Sequence, residues 1–118
     1  MQQNQHHSIN YLEIPVKDID KAKAFFSQVF GWKFVDYGPD YSCFVDAGIT
    51  GGFFTSDKSF TSGAGCPLIV IYSRYLEESQ NKVIQGGGQV SQAIFSFPGG
   101  RRFHFLDLNG NEYAVWSE

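Results

Sequence analysis

The feature that most constrains this chain is that it states one structural plan twice, with matching spacings. In the first half the strand-like run Tyr11-Leu12-Glu13-Ile14-Pro15-Val16 leads into an apolar-periodic helix that stops at Gly31, 20 positions after Tyr11. In the second half Leu68-Ile69-Val70-Ile71-Tyr72 leads into a helical stretch closed by Gly86-Gly87-Gly88, whose last glycine again stands 20 positions on. Later in each half a turn glycine precedes a final strand by 4 positions, Gly48 before Gly52-Phe53-Phe54 and Gly110 before Ala114-Val115-Trp116. Self-similarity of this kind predicts duplication of a small strand-helix-strands unit.

The local pattern fills in each copy. Residues 9–16 alternate as a strand should, with Leu12, Ile14 and Val16 on one face and Tyr11 and Glu13 on the other. Asp18 suits an N-cap, and Ile19, Ala22, Phe25, Phe26, Val29 and Phe30 form a helical stripe that ends at Gly31. Three short strands are expected at 32–37, 41–46 and 51–55, with Gly38-Pro39-Asp40 and Ala47-Gly48 as turns. Ser73 is expected to cap the second helix, on which Leu76, Val83 and Ile84 make a weaker stripe. Strands near 89–94, 102–106 and 112–116 follow, the last two joined by Asp107-Leu108-Asn109-Gly110. The expected organisation is a flexible N-terminal segment (1–8), a first module (9–55), a Ser/Gly/Thr-rich linker (56–65) and a second module (66–118).

Composition excludes several classes of function. A length of 118 residues is one domain's worth of chain, and a 42% hydrophobic share with 12 Phe supplies a core. No apolar run approaches the roughly 20 residues of a membrane span. A net charge of −3 with no basic face gives no general attraction to nucleic acid. The polar start, including His6-His7, lacks the basic and apolar regions of a signal peptide, so a cytoplasmic location is expected, with Cys43 and Cys66 as reduced thiols in or near the core. Neither Gly86-Gly87-Gly88, which ends a helix instead of opening one, nor the adjacent His6-His7 makes a defined site. Gly99-Gly100-Arg101-Arg102 could hold an anion, although a short basic loop is more often solvated.

The ordered set Tyr-Leu-Glu-Ile-Pro-Val-x-Asp (11–18), Phe-Phe-x-x-Val-Phe-Gly-Trp (25–32) and Asp-x-Asn-Gly-Asn-Glu (107–112) resembles the vicinal oxygen chelate superfamily, which includes glyoxalase I, bleomycin resistance proteins and extradiol dioxygenases. The resemblance implies an α+β fold of two tandem βαβββ modules forming a curled mixed sheet around a cleft, and a homodimer. It further implies a divalent metal held by His and Glu at four equivalent places. Those places fall on Tyr11, Gly52, Leu68 and Ala114, none of which suits the usual metal, so no metal ligands and no cofactor are expected.

What remains is an apolar, aromatic lining of the kind that forms a small-molecule pocket. Strand parity directs Tyr11, Glu13, Leu68, Val70, Tyr72, Ala114 and Trp116 to the ligand-equivalent face, with Phe53 or Phe54 beside them. The expected binding residues are therefore Tyr11, Glu13, Phe53, Leu68, Tyr72, Ala114 and Trp116. Glu13 is read as a desolvated carboxylate, either a partner for a cation, a structural acceptor or a general base. Glu112 is expected to be solvated beside its turn. His104 is a second, weaker catalytic candidate, more simply read as a packed core residue, and its spacing from Cys43 gives no support for a nucleophile-base pair. The favoured reading is a metal-free protein that binds a small aromatic or cationic molecule. The alternatives are a metal-dependent lyase, isomerase or dioxygenase with an atypical site, and a dimeric regulatory module whose cleft is vestigial.

Overall fold

Duplication is visible in the backbone. A computed structural model describes residues 4–118, so of the expected flexible segment 1–8 residues 1–3 lie outside the described residues. The chain divides into two compact units, Met1–Lys58 and Ser59–Glu118. Each is a βαβββ module carrying one four-stranded mixed sheet.

In the first unit β1 (Tyr11–Val16) runs into α1 (Ile19–Phe30), followed by β2 (Lys33–Asp36), β3 (Tyr41–Val45) and β4 (Thr50–Thr55). The sheet order is β1-β4-β3-β2, with β1 parallel to β4 and the remaining pairs antiparallel. Both ends of α1 are defined by local chemistry. Asp18 has extended backbone angles and its carboxylate accepts the Lys21 N–H at 3.0 Å, while Gly31 turns left-handed at φ 75°. A residue with a Cβ is strained at that φ, so the helix stops where the glycine stands. Ile19, Ala22, Phe25, Phe26 and Val29 bury their side chains from the helix, and Ile14, Val16, Phe44 and Phe53 meet them from the sheet. Aromatic packing dominates this core: Phe26 stacks on Trp32 at 4.7 Å between ring centroids, and Phe53 touches Phe26, Phe34 and Phe44.

The second unit repeats the topology with β5 (Ile69–Tyr72), α2 (Leu76–Gln85), β6 (Gln89–Phe97), β7 (Gly100–Leu106) and β8 (Glu112–Ser117), in sheet order β5-β8-β7-β6. Here α2 buries only Leu76 and Val83, and the expected third stripe residue, Ile84, is exposed. The core is carried by Phe103, Phe105, Tyr113 and Val115 from the sheet. Ser73 is not the N-cap. That position is Tyr75, which makes no side-chain cap, and the Ser73 hydroxyl instead accepts the Tyr75 N–H at 3.1 Å and pairs with the Ser79 hydroxyl. Strand β6 runs three residues past its expected end because Pro98-Gly99 turns the chain tightly into β7, pairing Phe97 with Gly100.

Part of the expected linker has structure of its own. Ser62–Ala64 forms a single 3-10 turn, and this segment is tied to the start of β8. The Asn111 side-chain carbonyl accepts the Phe60 N–H, the Phe60 carbonyl accepts the Glu112 N–H, and the Glu112 carboxylate accepts both the N–H and the hydroxyl of Ser62. Among the described residues no helix is long and apolar enough to cross a membrane.

Candidate functional site

Each sheet has one face covered by its helix and one that is not, and strand alternation decides which side chains the second face receives. In the first unit Ile14 and Val16 go to the helix side, and Tyr11 and Glu13 go to the other, as their parity requires. Neighbouring β3 adds Tyr41 and Cys43 to that face. The Tyr41 hydroxyl donates to the Glu13 carboxylate at 3.2 Å, which uses its only hydrogen, so the short contact between Tyr11 and Tyr41 has Tyr11 as donor. The Tyr11 oxygen also lies 3.8 Å from the Cys43 sulfur. Desolvation and these hydrogen bonds raise the Tyr11 pKa above the ordinary phenol value, holding it neutral. Gly52 sits directly beneath: a Cβ there would collide with the Tyr41 ring and hydroxyl. The first module's free face is thus closed over Gly52 by a Tyr11–Tyr41–Glu13 network.

The second unit's equivalent face is furnished differently. Register pairs Val70 and His104 with Ala114, and Tyr72 and Arg102 with Trp116, so these residues form rows on one face of the sheet. Strand β6 adds Phe95, paired with Arg102. His104 and Glu112 are both buried, and the His104 Nδ1 lies 2.8 Å from the Glu112 carboxylate. Burial alone would raise the Glu112 pKa, but hydrogen bonds from His104 and from the backbone and hydroxyl of Ser62 outweigh it and lower the carboxyl below its ordinary value. An ionised carboxylate only accepts, so Nδ1 carries a hydrogen, and the His104 Nε2 has no hydrogen-bond partner among the described residues.

Beside this pair, an open pocket of about 310 Å³ is lined by Val70, Phe97, Gly99, Arg102 and Trp116. Tyr72 and Phe97 flank the Trp116 ring at 5.2 and 6.4 Å between centroids. The Arg102 guanidinium carbon lies over the Phe95 and Phe97 rings, 5.2 and 5.3 Å from their centroids. Gly99 lies close against the Phe97 ring, where an added Cβ would stand 3.0 Å from it.

The structure sorts the residues expected from sequence into four groups. Trp116 lines the pocket, and Tyr72 packs against Trp116 while its hydroxyl donates to Glu118. Tyr11 and Glu13 meet through Tyr41, but Glu13 is exposed and not desolvated. Leu68 precedes β5 and is half-buried, and Ala114 is fully buried beneath the face it shares with His104. Phe53 does not line this face. Its register partner Ile14 points to the helix side, and Phe53 is wholly buried there, leaving Phe54 on the parity of Tyr41. Glu112, expected in solvent, is instead covered and paired. The sequence reading gives no site role to Tyr41, Phe95 and Phe97, and treats Arg102 only within the Gly99-to-Arg102 loop, as an anion holder or a solvated turn; alternation along β3, β6 and β7 is the pattern that points to them.

The positions at which the resemblance places metal ligands do not fit a divalent ion. Gly52, Leu68 and Ala114 offer no side-chain donor, and Tyr11 is a neutral phenol already donating to Tyr41. Among the described residues no group of three or more His, Cys, Asp or Glu is arranged to hold a metal ion.

Residues 9–45 match the family described as bleomycin resistance protein-like N-terminal. Among solved structures the chain is similar to a glyoxalase-related enzyme from Fulvimarina pelagi (TM-score 0.79, 13% identity, covering 95% of this chain and 88% of that one). It is also similar to a glyoxalase/bleomycin resistance protein/dioxygenase family enzyme from Burkholderia phytofirmans PsJN (0.77, 18%, 90% and 94%). A third similar structure is the fosfomycin resistance protein FosX from Listeria monocytogenes (0.78, 16%, 97% and 95%), which has been crystallised with Mn(II). No curated protein matches the sequence. The fold is that of these glyoxalase-related structures, and the family match lies within the first module, over less than half of the chain.

Proposed function

We propose that this chain is a metal-independent small-molecule binding protein, and that the pocket of the second module holds its ligand. The observation that carries the proposal is the pairing of an aromatic-walled pocket of about 310 Å³ with four family positions that supply no metal donor set. A volume at the lower end of the small-molecule range suits one or two fused rings. Trp116 and Phe97 offer faces and edges for a flat ring system, and Val70 offers an apolar floor. The reading is of binding without turnover.

The test is a panel of flat aromatic compounds screened by native mass spectrometry and thermal shift against protein treated with a chelator. The proposal expects stoichiometric adducts without metal, weakened at least tenfold by Trp116→Ala. Absence of binding across the panel, or binding and turnover that appear only when a divalent metal is added, would overturn it.

A further inference from the structure

Two adjacent arginines at the start of β7 have opposite fates. Arg101 is half-buried on the helix side of the sheet and makes a bidentate pair with Glu77, at 2.6 and 3.2 Å. Arg102, on the other face, makes no ion pair among the described residues, and its Nε is buried without a hydrogen-bond partner. Its guanidinium lies over the Phe95 and Phe97 rings and lines the pocket beside Trp116.

A partly desolvated charge with an unsatisfied donor is costly to keep, and the aromatic rings offset only part of that cost. Contact with the ring faces does not use up the donors of the guanidinium, whose N–H groups lie along its planar edge. That edge matches the two oxygens of a carboxylate, which a Lys ammonium would not match. The same charge disfavours the cationic ligands that the sequence leaves open.

On the small-molecule reading of this pocket, we propose that its ligand is a planar aromatic anion: a ring system bearing a carboxylate, the ring against Trp116 and Phe97 and the carboxylate on Arg102. Arg102 is then the residue that sets ligand charge, and Trp116 the residue that sets ligand shape.

Three probes that share one ring system and differ in charge test this by titration calorimetry on chelator-treated protein: 2-naphthoate, 2-naphthalenemethanol and 2-naphthylmethylammonium. The expected order is naphthoate tightest, the alcohol at least about tenfold weaker, as loss of a charge-assisted bond implies, and the ammonium weakest. Arg102→Met should erase the preference for naphthoate over the alcohol and leave alcohol affinity within about threefold. Arg102→Lys should retain part of the preference, and Arg101→Met all of it. Equal binding of naphthoate and alcohol to the unaltered protein overturns the anion proposal while leaving the pocket reading intact. Failure of all three probes to bind overturns both. Because the order is read first on the unaltered chain, the test survives a poorly folded Arg102 variant.

Discussion

The two modules share a topology and differ in how they spend the sheet face that the helix leaves uncovered. In the first, Gly52 lets Tyr41 lie flat over the sheet, and a chain of hydroxyls from Tyr11 through Tyr41 to Glu13 closes the face. In the second, a pocket stays open, and Arg102 lines it with aromatic neighbours and no acidic partner among the described residues. Their hidden sides differ as well: α1 contributes five buried residues to an aromatic core, and α2 contributes two. A duplicated plan therefore fixes where side chains can go, and the side chains decide how each copy furnishes its uncovered face.

This contrast predicts a graded set of effects. The largest is in the first module's core, where Phe53→Ala removes a fully buried ring in contact with three others and should cost about 3–5 kcal/mol in urea unfolding. A loss below about 1 kcal/mol would mean that the aromatic core is not what stabilises that unit.

The buried pair of the second module comes next. Glu112→Ala strips His104 and the Ser62 turn of their common acceptor and should cost about 3 kcal/mol. The sign with pH follows from its lowered pKa. Folding gains from the ionised carboxylate above the ordinary value of 4.5 and loses that gain as the pH falls through the folded-state pKa. Glu112→Gln should flatten this acid limb; an unchanged profile would remove Glu112 as its source.

Much of the fold was legible because its determinants are local. Asp18, Gly31 and the Asp107-to-Gly110 turn act within a few residues of themselves, and each stands where the pattern placed it, with Asp107 accepting from the Asn109 and Asn111 N–H groups. The candidate site was legible only by parity. Alternation placed Tyr11, Glu13 and Trp116 on the correct faces, yet Phe53 was misplaced because Gly52 and Phe53 exchange faces with a shift of one residue. Glu112 could not be read as buried, since its cover and partners come from Ser62, 50 positions earlier, and from His104 on the neighbouring strand. Arg102 was legible only as one of two arginines in a loop that could hold an anion. Its separation from Arg101 depends on which face Phe95 and Phe97 share, and β6 reaches that register only after two irregularities in its pairing.

Smaller effects sharpen the comparison. Gly52→Ala should cost about 1–3 kcal/mol by overpacking against Tyr41, and the cost should shrink in a Tyr41→Ala background. Additive losses in that double-mutant cycle would contradict the closed face. At the helix starts, Asp18→Ala should lose about 1 kcal/mol, whereas Tyr75→Asp should add up to about 1 kcal/mol by supplying the cap that α2 lacks. Thermal melts of the two variants moving in the same direction would break this last distinction.

The central proposal, that the pocket of the second module holds the ligand and needs no metal, is tested most directly by amide chemical-shift mapping of chelator-treated protein titrated with 2-naphthoate. The account predicts saturable shifts centred on Val70, Phe97, Gly99, Arg102 and Trp116, with Tyr11, Tyr41 and Gly52 unmoved. Shifts centred on Tyr11, Tyr41 and Gly52, or shifts that require added divalent metal, would contradict it.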